Sequence, residues 1–297
     1  MAAPLSTAAS IVRGITVSTP LGDRAFSLRA FRYRETIGQP FEGVIDVVGS
    51  DREIDLDALL GKAVTVNVPL PAGGTRHFSG LCLEARQTGR LGDGFGYRLV
   101  IVPWLRLLEL ASDCRIFQQK TAKDILTQVF GDLGFTDYKV SGVIGSLPQL
   151  EFCVQYDETH LNFVQRLSQR FGIGYHTEHA AGAHTVVFTD SHSSHKPFPG
   201  YDKVRYAASA AEAAGAEHVF QWEAGRRMTT GKVALKDYDF TNPTSQLDAT
   251  DSAGHGYPHG DLERFEYPGA FAIKSDGTTL AKIRLGEQAC GGRFFTG

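Results

Sequence analysis

Cysteine is scarce in this chain: Cys82, Cys114, Cys153 and Cys290 lie far apart, and no two form a CxxC pair. That spacing argues against a zinc site or a disulfide framework and leaves free, buried thiols in a reducing compartment as the expectation. No apolar run approaches the ~20 residues that a membrane-crossing helix needs. The opening stretch MAAPLSTAASIVRG lacks both a basic leader and an apolar segment of signal-peptide length. It is therefore expected to belong to a protein made in the cytoplasm and not exported by the general secretory route. A net charge of −3 provides no basic field for nucleic acid or an anionic membrane surface. The common catalytic signatures are also missing, with no G-x-S-x-G elbow, no P-loop and no HExxH. GDGFG and AAGA are glycine turns between strands and open no helix, so they do not cradle phosphate.

What is present is ordinary for a globular protein: 42% hydrophobic and 21% charged residues in a chain of 297. That length holds one large domain or two to three smaller ones. The first third reads as β structure. In KAVTVNVPL, Val64, Val66, Val68 and Leu70 share one face and Thr65 and Asn67 the other, the period-two pattern of a half-buried strand. PAGG turns the chain into TRHFSGLCLEAR, and GRLGDG turns it again into FGYRLVIVPW, giving an antiparallel meander. Upstream, IVRGITVS, AFSLRAFRYRE and FEGVIDVVG add strands, and DLDALLG reads as a short helix closed by Gly61. Six strands in about a hundred residues predict a barrel or sandwich.

From Pro103 the pattern becomes mixed. TAKDILTQVFGDLG places Thr121 as N-cap and Asp124 where it can answer the cap. Ile125, Leu126, Val129, Phe130 and Leu133 fall on one face, and Gly134 stands at a left-handed C-cap. GIGYHTEH and HTVVFTD form a hairpin around AAGA. SHSSHKPFPG reads as a linker. After it, HVFQWEAGRRMTTGKVALKDYDF returns to strands, PTSQLDATDSAGHGYPHGD reads as loop, TTLAKIRLGEQAC as a short helix, and Phe294–Phe295 begin another strand. The expected division is 1–102, 103–196 and 197–297.

The chemistry-bearing residues concentrate in LEFCVQYDETHLNFVQRLSQRFGIGYHTEH. Phe152, Val154 and Tyr156 alternate with Glu151, Cys153 and Gln155, so this is a strand. Asp157 follows in the N-cap place, with Glu158 in the first turn where the helix dipole favours a negative charge. Phe163, Val164, Leu167 and Phe171 share one arc of the helix, Gln165, Arg166 and Gln169 point away from it, and Gly172 ends it. Two adjacent carboxylates cannot face each other across a substrate, so capping outweighs acid–base catalysis here. His160 lies in the apolar arc and is expected to pack on a neighbouring segment. A metal centre is the sharper rival, because His176, His179 and His184 bracket one hairpin and His192 and His195 follow. Alternation separates His176 from His179, while His179 and His184 can face each other. Two ligands are too few for a stable zinc site, and polar residues at an exposed hairpin tip are the plainer reading. No catalytic, cofactor-binding or metal-binding residue is assigned.

SDCRIFQQKTAKDIL, EFCVQYDETHLNFVQRL, GIGYHTEH, HTVVFTD, LKDYDF and LERFEYPG, in this order from about Ile11 onward, resemble the N-terminal part of VgrG, the spike protein of type VI secretion systems. The resemblance implies a mainly β fold with an α+β insertion between two barrel-like domains, as in contractile-phage tail hubs. It also implies a trimer docked on a tube of Hcp-like hexameric rings, with baseplate proteins and secreted effectors as partners. Such a protein is no enzyme, binds no nucleic acid, and meets the target membrane only through the full-length spike. It assembles in the cytoplasm and is expelled by the secretion system. Family members continue into an oligonucleotide-binding-type barrel and a needle, so the expectation is that the second barrel here is cut short. The chain departs from the family at Gln169–Arg170, where acids often precede GI, which alters the charge of that surface. The rivals are the equivalent hub of a phage tail or related injection device, and a hydrolase using the histidine-rich hairpin.

Overall fold

Alternation in the first hundred residues becomes one antiparallel sheet in the computed structural model, which describes residues 14–70, 73–195, 197, 201, 203–209, 212 and 218–296. Its strands are β1 (Thr16–Ser18), β2 (Ser27–Thr36), β3 (Gln39–Gly49), β4 (Ala63–Pro69), β5 (Thr75–Leu91) and β6 (Gly94–Val102), in the order β1-β4-β5-β6-β3-β2. Residues 11–13 of the first expected strand and 71–72 of the PAGG turn lie outside the described residues. The sheet curls into a half-barrel. In β3 every second residue from Phe41 is buried, which sends Ile45 and Val47 into a core shared with Val64, Val66, Leu99 and Ile101. Gly43 sits so close to Ile101 that a Cβ would lie 2.7 Å from its Cγ1, so this crossing of β3 and β6 requires glycine.

Two expectations for this region change. Thr65 is buried along with Val64 and Val66, because its hydroxyl donates to Ser79 Oγ at 2.9 Å and thereby tolerates burial. DLDALLG is a run of turns instead of a helix. Leu59 N–H and Leu60 N–H bond three residues back, to Leu56 and Asp57, and the chain then joins β5 through Gly61 N–H to Cys82 O at 2.8 Å. A stretch this short cannot nucleate a helix against that edge pairing.

The chain forms two compact units, one of 1–145, 149–166 and 173–191, the other of 146–148, 167–172 and 192–297. Completing the first are a 3-10 turn (Trp104–Leu110), β7 (Ser112–Lys120), α1 (Ala122–Asp132), β8 (Tyr138–Gly142), β9 (Leu150–Thr159), the start of α2 (His160–Arg170), β10 (Gly174–Ala180) and β11 (Ala183–Thr189). The expected capping box is formed: Asp124 N–H donates to Thr121 Oγ1, and Thr121 N–H donates to the Asp124 carboxylate. Gly134 has φ +78°. Its N–H reaches Gly131 O while Phe135 N–H reaches Phe130 O, the paired bonds of a Schellman stop. β10 and β11 form the expected hairpin, and β8 adds to β11 in parallel.

In the second unit, β15 (Lys232–Asp237) lies between β16 (Leu247–Ser252) and β17 (Glu263–Glu266). Helix α3 (Lys274–Ala289), longer than expected, buries Leu280, Ala281 and Leu285. β16 falls in the stretch read as loop: Leu247 and Ala249 are buried, but the flanking turn residues hid a strand with only two apolar inward positions. Shorter pairs complete the unit. β12 (Arg205–Tyr206) runs parallel to β13 (His218–Val219), and β14 (Glu223–Arg226) runs antiparallel to β18 (Arg293–Thr296). Residues 196 and 198–200 of the expected linker lie outside the described residues. No helix among the described residues is long and apolar enough to cross a membrane.

Candidate functional site

The hairpin register sets His179 directly opposite His184. Neither is at an exposed tip. His184 is buried, its Nε2 accepting the Trp104 backbone N–H at 2.9 Å. His179 lies half-buried among Tyr33, Phe41 and Phe78 of the half-barrel. Its Nε2 is 2.8 Å from Tyr33 Oη, and its Nδ1 is 3.1 Å from Ser79 N and 2.9 Å from Ser79 O. Tyr33 O–H donates to Glu35 Oε2, and Glu35 Oε1 accepts the Thr177 N–H, so the chain of bonds returns to the hairpin.

Burial sets the charge state of this cluster. It pushes His184 down to about 4, helped by the nearby His179. Burial also lowers His179, opposed by the Ser79 bond and the charge of Glu35. Tyr33 is raised, first by burial and then by Glu35. Neutral imidazoles here act as hydrogen-bond partners, His179 tying the hairpin to the first sheet and His184 tying it to the 3-10 turn at Trp104. The donor that would complete a metal site is missing: among the described residues no three His, Cys, Asp or Glu side chains gather to hold an ion. His192 and His195 lie in or beside a 3-10 turn (His192–Ser194), exposed, with ring centroids 6.2 Å apart.

The acidic pair departs from its expected role. Asp157 is not a cap: β9 runs on to Thr159, and Thr159 Oγ1 accepts the Asn162 N–H at 3.1 Å. The register of β7 and β9 slips so that Tyr156 and Asp157 together oppose Cys114, and Asp157 takes φ +45° in this bulge. Glu158 lies at the end of the strand and not in the helix. Arg166 Nε reaches its two oxygens at 2.8 and 2.9 Å, and Asn162 Nδ2 donates to Oε2. Burial alone would raise the Glu158 carboxyl, but Arg166 and Asn162 hold it below the usual range. It is a strut between β9 and α2, unsuited to general acid work at neutral pH. His160 is buried as expected, its N–H on Ala111 O at 3.0 Å and its Nδ1 near Gln155 Nε2.

β9 also presents the opposite face from the one its composition suggests. Cys153 and Gln155 point inward beside Phe117, which stacks on Phe163. Phe152 (58% exposed), Val154 (43%) and Tyr156 (78%) face solvent, joined by Ile116 (68%), the cross-strand partner of Val154. An apolar strip of this kind is characteristic of proteins that assemble with others. Tyr33, Ser79 and Trp104, which hold the two histidines, carried no local signal; only the fold brings them there from 80 or more residues away.

The family model for the phage tail baseplate hub (GPD) matches residues 34–297. The type VI secretion system spike protein VgrG1c of Pseudomonas aeruginosa is 35% identical over 273 residues, which are 92% of this chain and 38% of that protein. The chain spans about two fifths of the length of this relative and of two others from the same organism, VgrG1b and VgrG1a. Among solved structures, the tail protein from Neisseria meningitidis MC58 superposes with TM-score 0.59 at 12% identity, covering 95% of this chain and 78% of that one. The E. coli c3393 protein, described as a component of the type VI secretion system with similarity to T4 tail proteins gp27 and gp5, gives TM-score 0.57 at 21% identity. It covers 68% of this chain and 53% of that one.

Proposed function

Because the chain belongs to the phage tail baseplate hub family, we propose that it is a structural hub component of a type VI secretion spike, without catalytic activity of its own. The observation that carries this reading is the hub match over residues 34–297, which takes in both compact units. The two hairpin histidines support it, since His179 is occupied by Tyr33 and Ser79 of the sheet and His184 by the Trp104 N–H, which leaves neither free to take a proton from a substrate.

Within this proposal, three chains surround one axis, and each contributes the β-rich segments 1–102 and 197–297 with the α+β segment 103–196 outside them. Six similar modules then approximate the end of an Hcp-like hexameric ring, and simultaneous weak contacts raise avidity above any single one. Assembly takes place in the cytoplasm, and contraction expels the spike with its effectors. The equivalent hub of a phage tail would use the same contacts. Co-sedimentation with hexameric Hcp rings tests the reading, using the chain alone and the chain fused to a trimerising segment. Binding by the trimer and little by the monomer is the expected result. Failure of the trimer to bind, or equal binding by the monomer, would reject the symmetry match.

A further inference from the structure

The second unit has a cavity of about 480 Å³ walled by Arg226, Arg227 and Arg293 and by Met228, His255 and Tyr257. Arg226 and Arg293 are direct cross-strand partners in the β14–β18 ribbon. Like charges in that position repel, and neighbouring arginines in this unit avoid such isolation: Arg264 and Arg284 both lie against Glu266. Among the described residues no carboxylate pairs with Arg226, Arg227 or Arg293, and none lines the cavity.

Exposed Arg226 and Arg293 stand beside a third arginine, Arg227, which is held in place by a ring. Gly225 lets the Phe294 ring lie across the ribbon, since a Cβ there would meet that ring at 2.1 Å. The Arg227 guanidinium in turn sits over Phe294, 5.6 Å from its centroid. The far wall is equally fixed. His255 and Tyr257 stack at 4.9 Å, with His255 Nε2 3.1 Å from Thr229 Oγ1 and Tyr257 Oη accepting the Thr229 N–H.

We propose that this cavity binds acidic side chains presented by a protein segment, with carboxylates bridging the opposed guanidiniums of Arg226 and Arg293. Guanidinium forks match carboxylates in a bidentate manner, and the bridging charge cancels the cross-strand repulsion. Met228, Tyr257 and the His255 ring give apolar neighbours of those carboxylates a surface to cover, which a free phosphate would leave unused. Its three arginines are confined to one half-open hollow instead of forming the long basic track that a nucleic-acid backbone follows. The inference does not depend on the hub assignment.

The test uses the whole chain and three probes: a labelled hexapeptide with two glutamates between leucines, the same peptide with glutamines, and inorganic phosphate. The glutamate peptide is expected to bind with an affinity that falls as salt rises. The glutamine peptide, and the glutamate peptide on the Arg226→Gln/Arg293→Gln variant, should bind about tenfold more weakly or worse. Arg293→Gln alone should raise the thermal midpoint, which shows that any loss of binding is not a loss of fold. The proposal is overturned if both peptides bind alike, if the double variant binds undiminished, or if phosphate competes as well as the peptide. A lowered midpoint for Arg293→Gln would remove its premise.

Discussion

His184 accepts the backbone N–H of Trp104 through Nε2, and this bond requires that nitrogen to be unprotonated. Protonation would cost the bond and strand a charge beside His179. The folded state depresses the His184 pKa from 6.5 to about 4, so the unfolded chain binds more protons between those values. Stability is therefore full above about pH 6.5 and falls as pH drops toward 4, by roughly 3 kcal/mol from this group. His179 and His160, also lowered chiefly by burial, act in the same direction. Urea unfolding followed between neutral and mildly acid pH measures the slope. His184→Gln, whose carbonyl can still accept from Trp104, should flatten it. An unchanged slope would mean that His184 does not titrate with folding.

The cap of α2 is Thr159 and not Asp157. Thr159→Ala should destabilise the fold by about 1 kcal/mol, the usual loss for an N-cap. At φ +45°, Asp157 has a backbone that most side chains resist but glycine accepts. Asp157→Gly should be neutral or stabilising, while Asp157→Ala costs about 1 kcal/mol. A large loss for Asp157→Gly, with Thr159→Ala silent, would restore Asp157 as the cap.

How far these features were legible in the sequence depended on whether their partners were local. Thr121, Asp124 and Gly134 stand within one helix of each other, and both ends of α1 were read from them correctly. The meander of the half-barrel and the β10–β11 hairpin were equally visible, because alternation and turn glycines act over a few residues. Asp157 misled because β7 holds β9 as far as Thr159, and that pairing comes from a strand about forty residues upstream. The environment of His179 and His184 was invisible for the same reason: hairpin register is local, but Ser79 and Trp104 are not. β16 was lost among turn residues, since Leu247 and Ala249 give too short an apolar pattern to stand out.

The inverted face of β9 predicts a sharp contrast between neighbouring residues. Replacing Ile116 or Val154 by Thr changes side chains that face solvent and keeps β-branching, so stability should move by no more than about 0.5 kcal/mol. Phe163→Ala removes a fully buried ring stacked on Phe117 and should cost about 3–5 kcal/mol. Chemical denaturation of the three variants decides it. A substantial loss for either threonine variant would show that the strip is covered in the folded protein.

The hub reading makes a last demand, on oligomeric state. Homo-oligomers close around point-group symmetry, and a hub that matches a sixfold ring with two modules per chain must be a trimer. This chain spans about two fifths of the length of three of its curated relatives. Sedimentation velocity across a dilution series should therefore find a monomer, or a trimer that dissociates on dilution, with no intermediate accumulating as a stable dimer. The exposed strip of Ile116, Phe152, Val154 and Tyr156 sharpens the measurement. It lies in the α+β segment placed outside the ring, so Ile116→Thr and Val154→Thr should leave the monomer–trimer balance where it is. A tight, dilution-resistant dimer would count against the hub. A trimer abolished by the strip substitutions would move the α+β segment from the periphery into the interface.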